Sequence, residues 1–249
     1  GLDPNRLPPQ ATGITRNTLR RQLSLPCGRA PALAMGYGLG WLCKAALVLD
    51  EMDEAGPMLL NIARYTYDKN MDYADPSRGI DWRRFAWIVP EGANILPDGS
   101  WHRIGDLSNG ANQGPPLHAM EICAGFDDTK PNDLRLLPRV PNPLTGIEVE
   151  DFMVLVPDGA GLARAKVSYA YNRAAASFRL RSDRPLPRLA LRLGPFHEAE
   201  ARRAAQTLKS SMKTDVRTES SGTFQAQAAW WVWLENLKNI ASLGLDWKS

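Results

Sequence analysis

Three segments in the second half of the chain alternate large apolar and polar side chains: Val167-Ser168-Tyr169-Ala170-Tyr171, Ser177-Phe178-Arg179-Leu180-Arg181 and Arg188-Leu189-Ala190-Leu191-Arg192-Leu193. A strand turns successive side chains to opposite faces, so each segment lays one face on a core and gives the other to water. The first half has a different period. Leu39, Leu42, Ala46 and Leu49 recur at offsets of three and four, which predicts a helix with one apolar face. Met58, Leu59, Ile62 and Tyr65 predict a second helix ending near Asn70, and the short acidic link Asp50–Gly56 makes the two an antiparallel pair.

A third helix is expected to start at Pro115-Pro116, since proline is tolerated at the first helical position, and to end at Gly125. Its apolar positions would be Leu117, Met120 and Ala124. Between the second and third helices, Pro97-Asp98-Gly99 marks a turn, because proline fixes φ and glycine accepts positive φ. Trp87-Ile88-Val89 and Trp101-His102-Arg103-Ile104 flank it as arms of a loop or irregular hairpin. The Pro- and Asn-rich stretch 127–145 then forms a boundary, with Leu134–Leu137 as a short strand. From Ile147 onward six or seven strands are expected, interrupted by a charged helix at His197–Leu208. Trp230, Trp231 and Trp233 place tryptophan on both faces of a late strand, so that strand should be covered on both sides. The order predicts an α+β fold: a helical hairpin region over 1–130 packed on an antiparallel β-sandwich over 131–249.

Composition narrows the function classes. Thirty basic against 27 acidic residues in 249 give a formal charge of +3 with no basic cluster. This argues against a nucleic-acid partner, which usually demands a concentrated basic surface. The apolar stretch Ala30–Leu49 is broken by Lys44 and several glycines, so no membrane span is expected, and no signal peptide is visible. The compartment is left open. Cys27, Cys43 and Cys123 are unclustered, and with only three histidines neither a metal site nor a cofactor is expected. Cys43 and Cys123 fall within apolar helical patterns and read as buried thiols. Gly36-Tyr37-Gly38-Leu39-Gly40 lacks the strand and Lys/Ser of a phosphate loop, and reads as close backbone packing at a helix start or as bare backbone for a substrate.

The candidate chemistry is acidic and aromatic together: Tyr37, Trp41, Asp81, Trp82, Trp87, Glu91, Asp98, Trp101, Asp106 and Glu121. Glycoside hydrolysis needs two carboxyl groups, one as acid and one as base or nucleophile, and flat rings supply a face on which a sugar stacks. Glu91, between Val89-Pro90 and Gly92, suits the acid role, because apolar surroundings raise a carboxyl pKa. Asp106, near a helix entry, is kept ionised by the helix dipole and suits the base. Tyr37, Trp41, Trp87 and Trp101 are the substrate-binding candidates. Each acid taken alone also fits a cap, a turn or a surface pair.

The helix pair around Tyr37-Gly38-Leu39-Gly40-Trp41 and the loop Gly105-Asp106-Leu107-Ser108-Asn109-Gly110-Ala111-Asn112-Gln113-Gly114 resemble the closing part of six-hairpin glycosidases. Those enzymes join an (α/α)6 barrel to a β-sandwich and cleave or phosphorolyse glycosides. The resemblance implies a glycoside hydrolase or phosphorylase acting on an oligosaccharide, with this chain as its C-terminal segment. About twelve helices and a sandwich exceed 249 residues, so the missing hairpins would come from an N-terminal portion or a partner chain. Pro115-Pro116 stands where an acidic residue is expected at the helix start, so no family carboxylate carries over to that position. A non-catalytic carbohydrate-binding or structural module, or a subunit of a larger assembly, is the alternative.

Overall fold

The computed structural model describes residues 32–67, 74–75, 80–81, 92–95, 101–104, 110–212 and 214–248. The chain divides into two compact units, Gly1–Val48 with Glu54–Met120, and Leu49–Asp53 with Glu121–Ser249. Among the described residues helices dominate the first and one mixed sheet the second, an α+β arrangement. No described helix is long and apolar enough to cross a membrane.

The helical unit starts with strand β1 (Ala32–Met35), which runs directly into α1 (Gly36–Val48). Cys43, Ala46 and Leu47 form the buried stripe of α1. Leu49, expected on that stripe, is 53% exposed, because the helix stops at Val48 and the chain reverses at Asp50 with φ 59°. Helix α2 (Met52–Tyr67) starts earlier than expected and takes in most of the acidic link. It buries Ala55, Met58 and Ile62 at helical spacing, and the Cys43 thiol donates to the Ala55 carbonyl at 3.7 Å.

Strands β2 (Ala74–Asp75) and β3 (Ile80–Asp81) pair with each other. Strands β4 (Gly92–Ile95) and β5 (Trp101–Ile104) pair around residues 96–100, where the Pro97-Asp98-Gly99 turn was expected, and β1 pairs β4 on the other side. The downstream arm of that hairpin is as expected. The upstream arm is Gly92–Ile95, and Trp87–Val89 lies outside the described residues.

Helix α3 (Gly110–Ala124) contains Pro115 and Pro116 instead of starting at them. Both prolines are buried, with Ala119 and Cys123 following Pro115 at four-residue spacing. Gly40 shows why: a Cβ there would lie 2.6 Å from Pro116 Cδ. Gly40, the last glycine of that run, is therefore a point of close packing against the Pro115-Pro116 pair.

The sheet unit adds β6 (Phe126–Asp127), β7 (Leu134–Leu136), β8 (Gly146–Asp158), β9 (Gly161–Asn172) and β10 (Ser177–Phe196). Helix α4 (Glu198–Ser211) and strands β11 (Asp215–Phe224) and β12 (Gln227–Asp246) complete it. The seven strands run β11-β12-β10-β7-β6, with β9 also on β10 and β8 on β9. Five strands follow Ile147, not six or seven, because β10 and β12 are each 20 residues long. Their register shifts between Arg181 and Leu186, beside Pro185 and Pro187, so the prolines sit at an irregularity within one strand and do not end it.

Pairing is not purely antiparallel. Beyond Ser182 the edge of β10 has no β9 to meet, and β7 fills it in parallel, with Leu189 opposite Leu134. The three alternating segments lie in β9 and β10 with Val167, Tyr169, Tyr171, Phe178, Leu180, Leu189, Leu191 and Leu193 buried. Strand β12 is covered on both faces: Ala229, Trp231, Trp233 on one and Val232, Leu234 on the other are at most 7% exposed. Helix α4 opens with the Glu200 carboxylate accepting from the His197 N–H at 3.2 Å, and buries Ala201, Ala204 and Leu208 in the sheet's core.

Candidate functional site

Of the sequence candidates, Trp41 is the clearest in the structure. It lies on α1, 57% exposed, with the Lys44 ammonium 5.3 Å from its ring centroid. A ring that open is available for a flat apolar ligand face. Tyr37 lies in the first turn of α1, and Trp101 opens β5 opposite Ile95. Glu91, Asp106 and Trp87 lie outside the described residues, as do Trp82 and Asp98. Glu121, on the last turns of α3, is exposed.

Two constellations in the sheet unit escaped the sequence reading. The first is a buried charge cluster. Asp50 and Arg192, each 3% exposed, join through two bonds of 2.7 Å, and Arg139 Nε reaches Asp50 at 3.4 Å. The Arg192 guanidinium lies 4.0 Å over the Trp231 ring. Burial and the neighbouring Arg192 push the Arg139 pKa down, against the pull of Asp50.

Around this cluster the segment Leu49–Asp53 is lashed to the sheet. Gly222 approaches so closely that a Cβ on it would meet the Asp50 carbonyl, and the Thr223 N–H donates to that carbonyl at 3.1 Å. The Asp53 carboxylate accepts the N–H groups of Gln225 and Ala226, both at 2.8 Å. Both residues have positive φ, so Asp53 holds a turn that carries no glycine to relieve it. The Asp50 carboxylate already faces two arginines and is sealed from water, so it anchors the segment and is not positioned to act on a substrate.

The second is a cavity of about 370 Å3 where α4 begins. The β9–β10 turn, the end of β10, the first turns of α4, the β11–β12 turn and the residues after β12 all line it. His197 Nε2 and Gln225 Oε1 are 2.8 Å apart, so the turn held by Asp53 positions one wall. Arg173 is fixed from below, donating to the Leu144 carbonyl at 2.8 Å and the Val140 carbonyl at 3.3 Å, with its guanidinium 4.4 Å over Phe224. Burial pushes its pKa down. Arg203 and Lys248 also line the cavity, and neither joins an ion pair among the described residues. Among the described residues Glu200 is the one carboxylate on the wall.

Among the described residues no group of three or more His, Cys, Asp and Glu side chains is placed to hold a metal. Cys123 is buried, and that burial pushes its thiol up to about 12, with Arg139 pulling the other way. Such a thiol is a poor nucleophile. No protein-family model, curated protein or solved structure matches the chain.

Proposed function

We propose that this chain is the C-terminal segment of a carbohydrate-active protein of the six-hairpin glycosidase type. One observation carries the reading: the helices bury one stripe and leave large apolar side chains on the other. Trp41 on α1, Leu60 on α2, and Leu117 and Met120 on α3 are between 44% and 57% exposed. An apolar face of this kind marks a surface that another element covers. In a helical barrel the covering elements are the neighbouring hairpins, supplied by an N-terminal portion or by a partner chain. The sheet unit, with its long paired strands, then takes the part of the β-sandwich of those enzymes.

In this reading Glu91 protonates the leaving oxygen, Asp106 acts as base or nucleophile, and Tyr37, Trp41, Trp87 and Trp101 hold the sugar by its apolar face. The test is release of reducing sugar from a panel of neutral oligosaccharides by the full-length protein. Glu91→Gln and Asp106→Asn should each lower turnover by about 100-fold or more, and Trp41→Ala should weaken binding without abolishing turnover. Undiminished turnover in both carboxyl variants overturns the catalytic assignment. Sugar binding that persists without any turnover in the parent favours the binding-module alternative, which the cavity at α4 supports.

A further inference from the structure

The cavity at the start of α4 has no part in that mechanism, and its charge is unbalanced. Of the described residues that line it, Arg173, Arg203 and Lys248 are basic and Glu200 alone is acidic, and Glu200 already accepts the His197 N–H. Three cations around a recess with one acid between them attract an anion. Arg203 suits a planar carboxylate in particular, because its guanidinium fork matches the two oxygens, while Arg173, whose two terminal nitrogens already donate to backbone carbonyls, adds a fixed positive charge. Arg173 is also held in place before any ligand arrives, by two backbone carbonyls and a phenyl ring. A ligand here would lose little to ordering that side chain.

Two further lining positions are similarly fixed. Gln225 and Ala176, which both line the cavity, have positive φ of 50° and 53°, and the Asp53 carboxylate holds the Gln225 turn. Backbone kept in this region is costly and tends to gather where ligands bind. The volume of about 370 Å3 accommodates one sugar ring and falls within the roughly 300–1,000 Å3 usual for small-ligand sites.

We infer that this cavity is a subsite for an acidic sugar, a ring whose carboxylate is held by Arg173, Arg203 and Lys248. This rests on the carbohydrate reading and adds a substrate class to it: a uronate-bearing glycan, gripped on the sheet unit.

Titration of the whole chain with a uronate-bearing disaccharide, its neutral counterpart and sodium acetate tests the inference. The acidic disaccharide should bind at least tenfold more tightly than either control, and its affinity should fall as salt is raised. The double variant Arg203→Gln, Lys248→Gln should lose at least tenfold in that affinity while its thermal unfolding stays where the parent's is, since both side chains are exposed and in no ion pair. Equal binding of acidic and neutral disaccharides, or unchanged affinity in the double variant, overturns the inference. So does acetate binding as tightly as the acidic disaccharide, which would make this an anion site without sugar selectivity. The neutral-oligosaccharide assay judges the carbohydrate reading separately. A protein that turns over neutral sugars yet ignores the uronate loses only this subsite.

Discussion

In the sheet unit Trp231, Tyr171 and Phe178 are at most 1% exposed, while in the helical unit Trp41, Leu117 and Met120 are each more than half exposed. Both units have enough large apolar side chains to build a core, and they use them differently. The sheet folds its rings inward and covers β12 on both faces. Its exposed large apolar strand residues, Met153, Leu155 and Leu162, are confined to the β8–β9 hairpin. The helices bury Leu47, Met58 and Ile62 beside the small residues Cys43, Ala46, Ala55 and Ala119, and hold Trp41, Leu60, Leu117 and Met120 outside. Full burial of a large apolar side chain is worth about 1.5–3 kcal/mol, and the helices leave that uncollected at Trp41, Leu60, Leu117 and Met120.

The largest effect on that contrast comes from the charge at the sheet's centre. Arg192→Ala strands Asp50 without its bidentate partner in a site closed to water, and should cost about 3–5 kcal/mol. Urea unfolding followed by tryptophan fluorescence reads it, since Trp231 lies under the guanidinium. Arg192→Met combined with Asp50→Asn should recover much of the loss, because the combination removes the stranded charge along with its partner. If Arg192→Ala unfolds with the parent, the cluster is open to water and the sheet unit is less self-contained than its buried rings suggest.

Most of this sheet was legible from its pattern alone. The period-two runs mark β9 and β10 because their outer faces are polar, and the tryptophan block marks β12 because no solvent-facing alternation interrupts it. The charged run at His197–Leu208 reads as helix, and α4 is there. Strand count was less legible, since Pro185 and Pro187 look like breaks in sequence and are a bulge in space. The parallel β7–β10 pair depends on which edge is vacant, a fact of topology that no local run encodes.

The sites divide in the same way. Trp41 was visible as an aromatic on an amphipathic helix. The Asp50–Arg192 pair, 142 positions apart, was not, and Arg192 looked like one more solvated position of an alternating strand. Leu191 and Leu193 turn to the opposite face of β10, so no neighbour in sequence marks Arg192 as buried, and only the register that sets it beside Trp233 on β12 shows its surroundings. The cavity draws on five separate segments, none with a motif of its own. Its one local hint was His197 beside Phe196 at the start of a helix.

A smaller effect distinguishes the buried thiol from the solvated face of the same helix. The Cys123 thiol titrates at about 12 in the folded chain against an ordinary 9.0. The folded state therefore keeps its proton after the unfolded state has lost it. Stability is intact below pH 9 and is lost as pH rises from about 9 toward 12, by about 1.4 kcal/mol per pH unit at most. Cys123→Ala should flatten that part of the stability–pH profile. In the parent, iodoacetamide should label Cys123 slowly at pH 8 and rapidly once urea unfolds the chain. Fast labelling of the folded chain means the end of α3 opens readily.

The smallest expected effect sharpens the contrast most, because it sets two faces of α3 against each other. Leu117 and Met120 are 55% and 57% exposed, and Ala119 between them is fully buried. Leu117→Ser and Met120→Ser should each change unfolding free energy by no more than about 0.5 kcal/mol, while lowering self-association in sedimentation, since each removes apolar surface from water. Ala119→Leu, which adds bulk to the closed side, should cost about 1–3 kcal/mol by overpacking. A serine at 117 that costs as much as deleting a core leucine, about 2–5 kcal/mol, means that face already has a cover. The helical unit would then be as closed as the sheet, and no neighbouring hairpin would be needed to explain it.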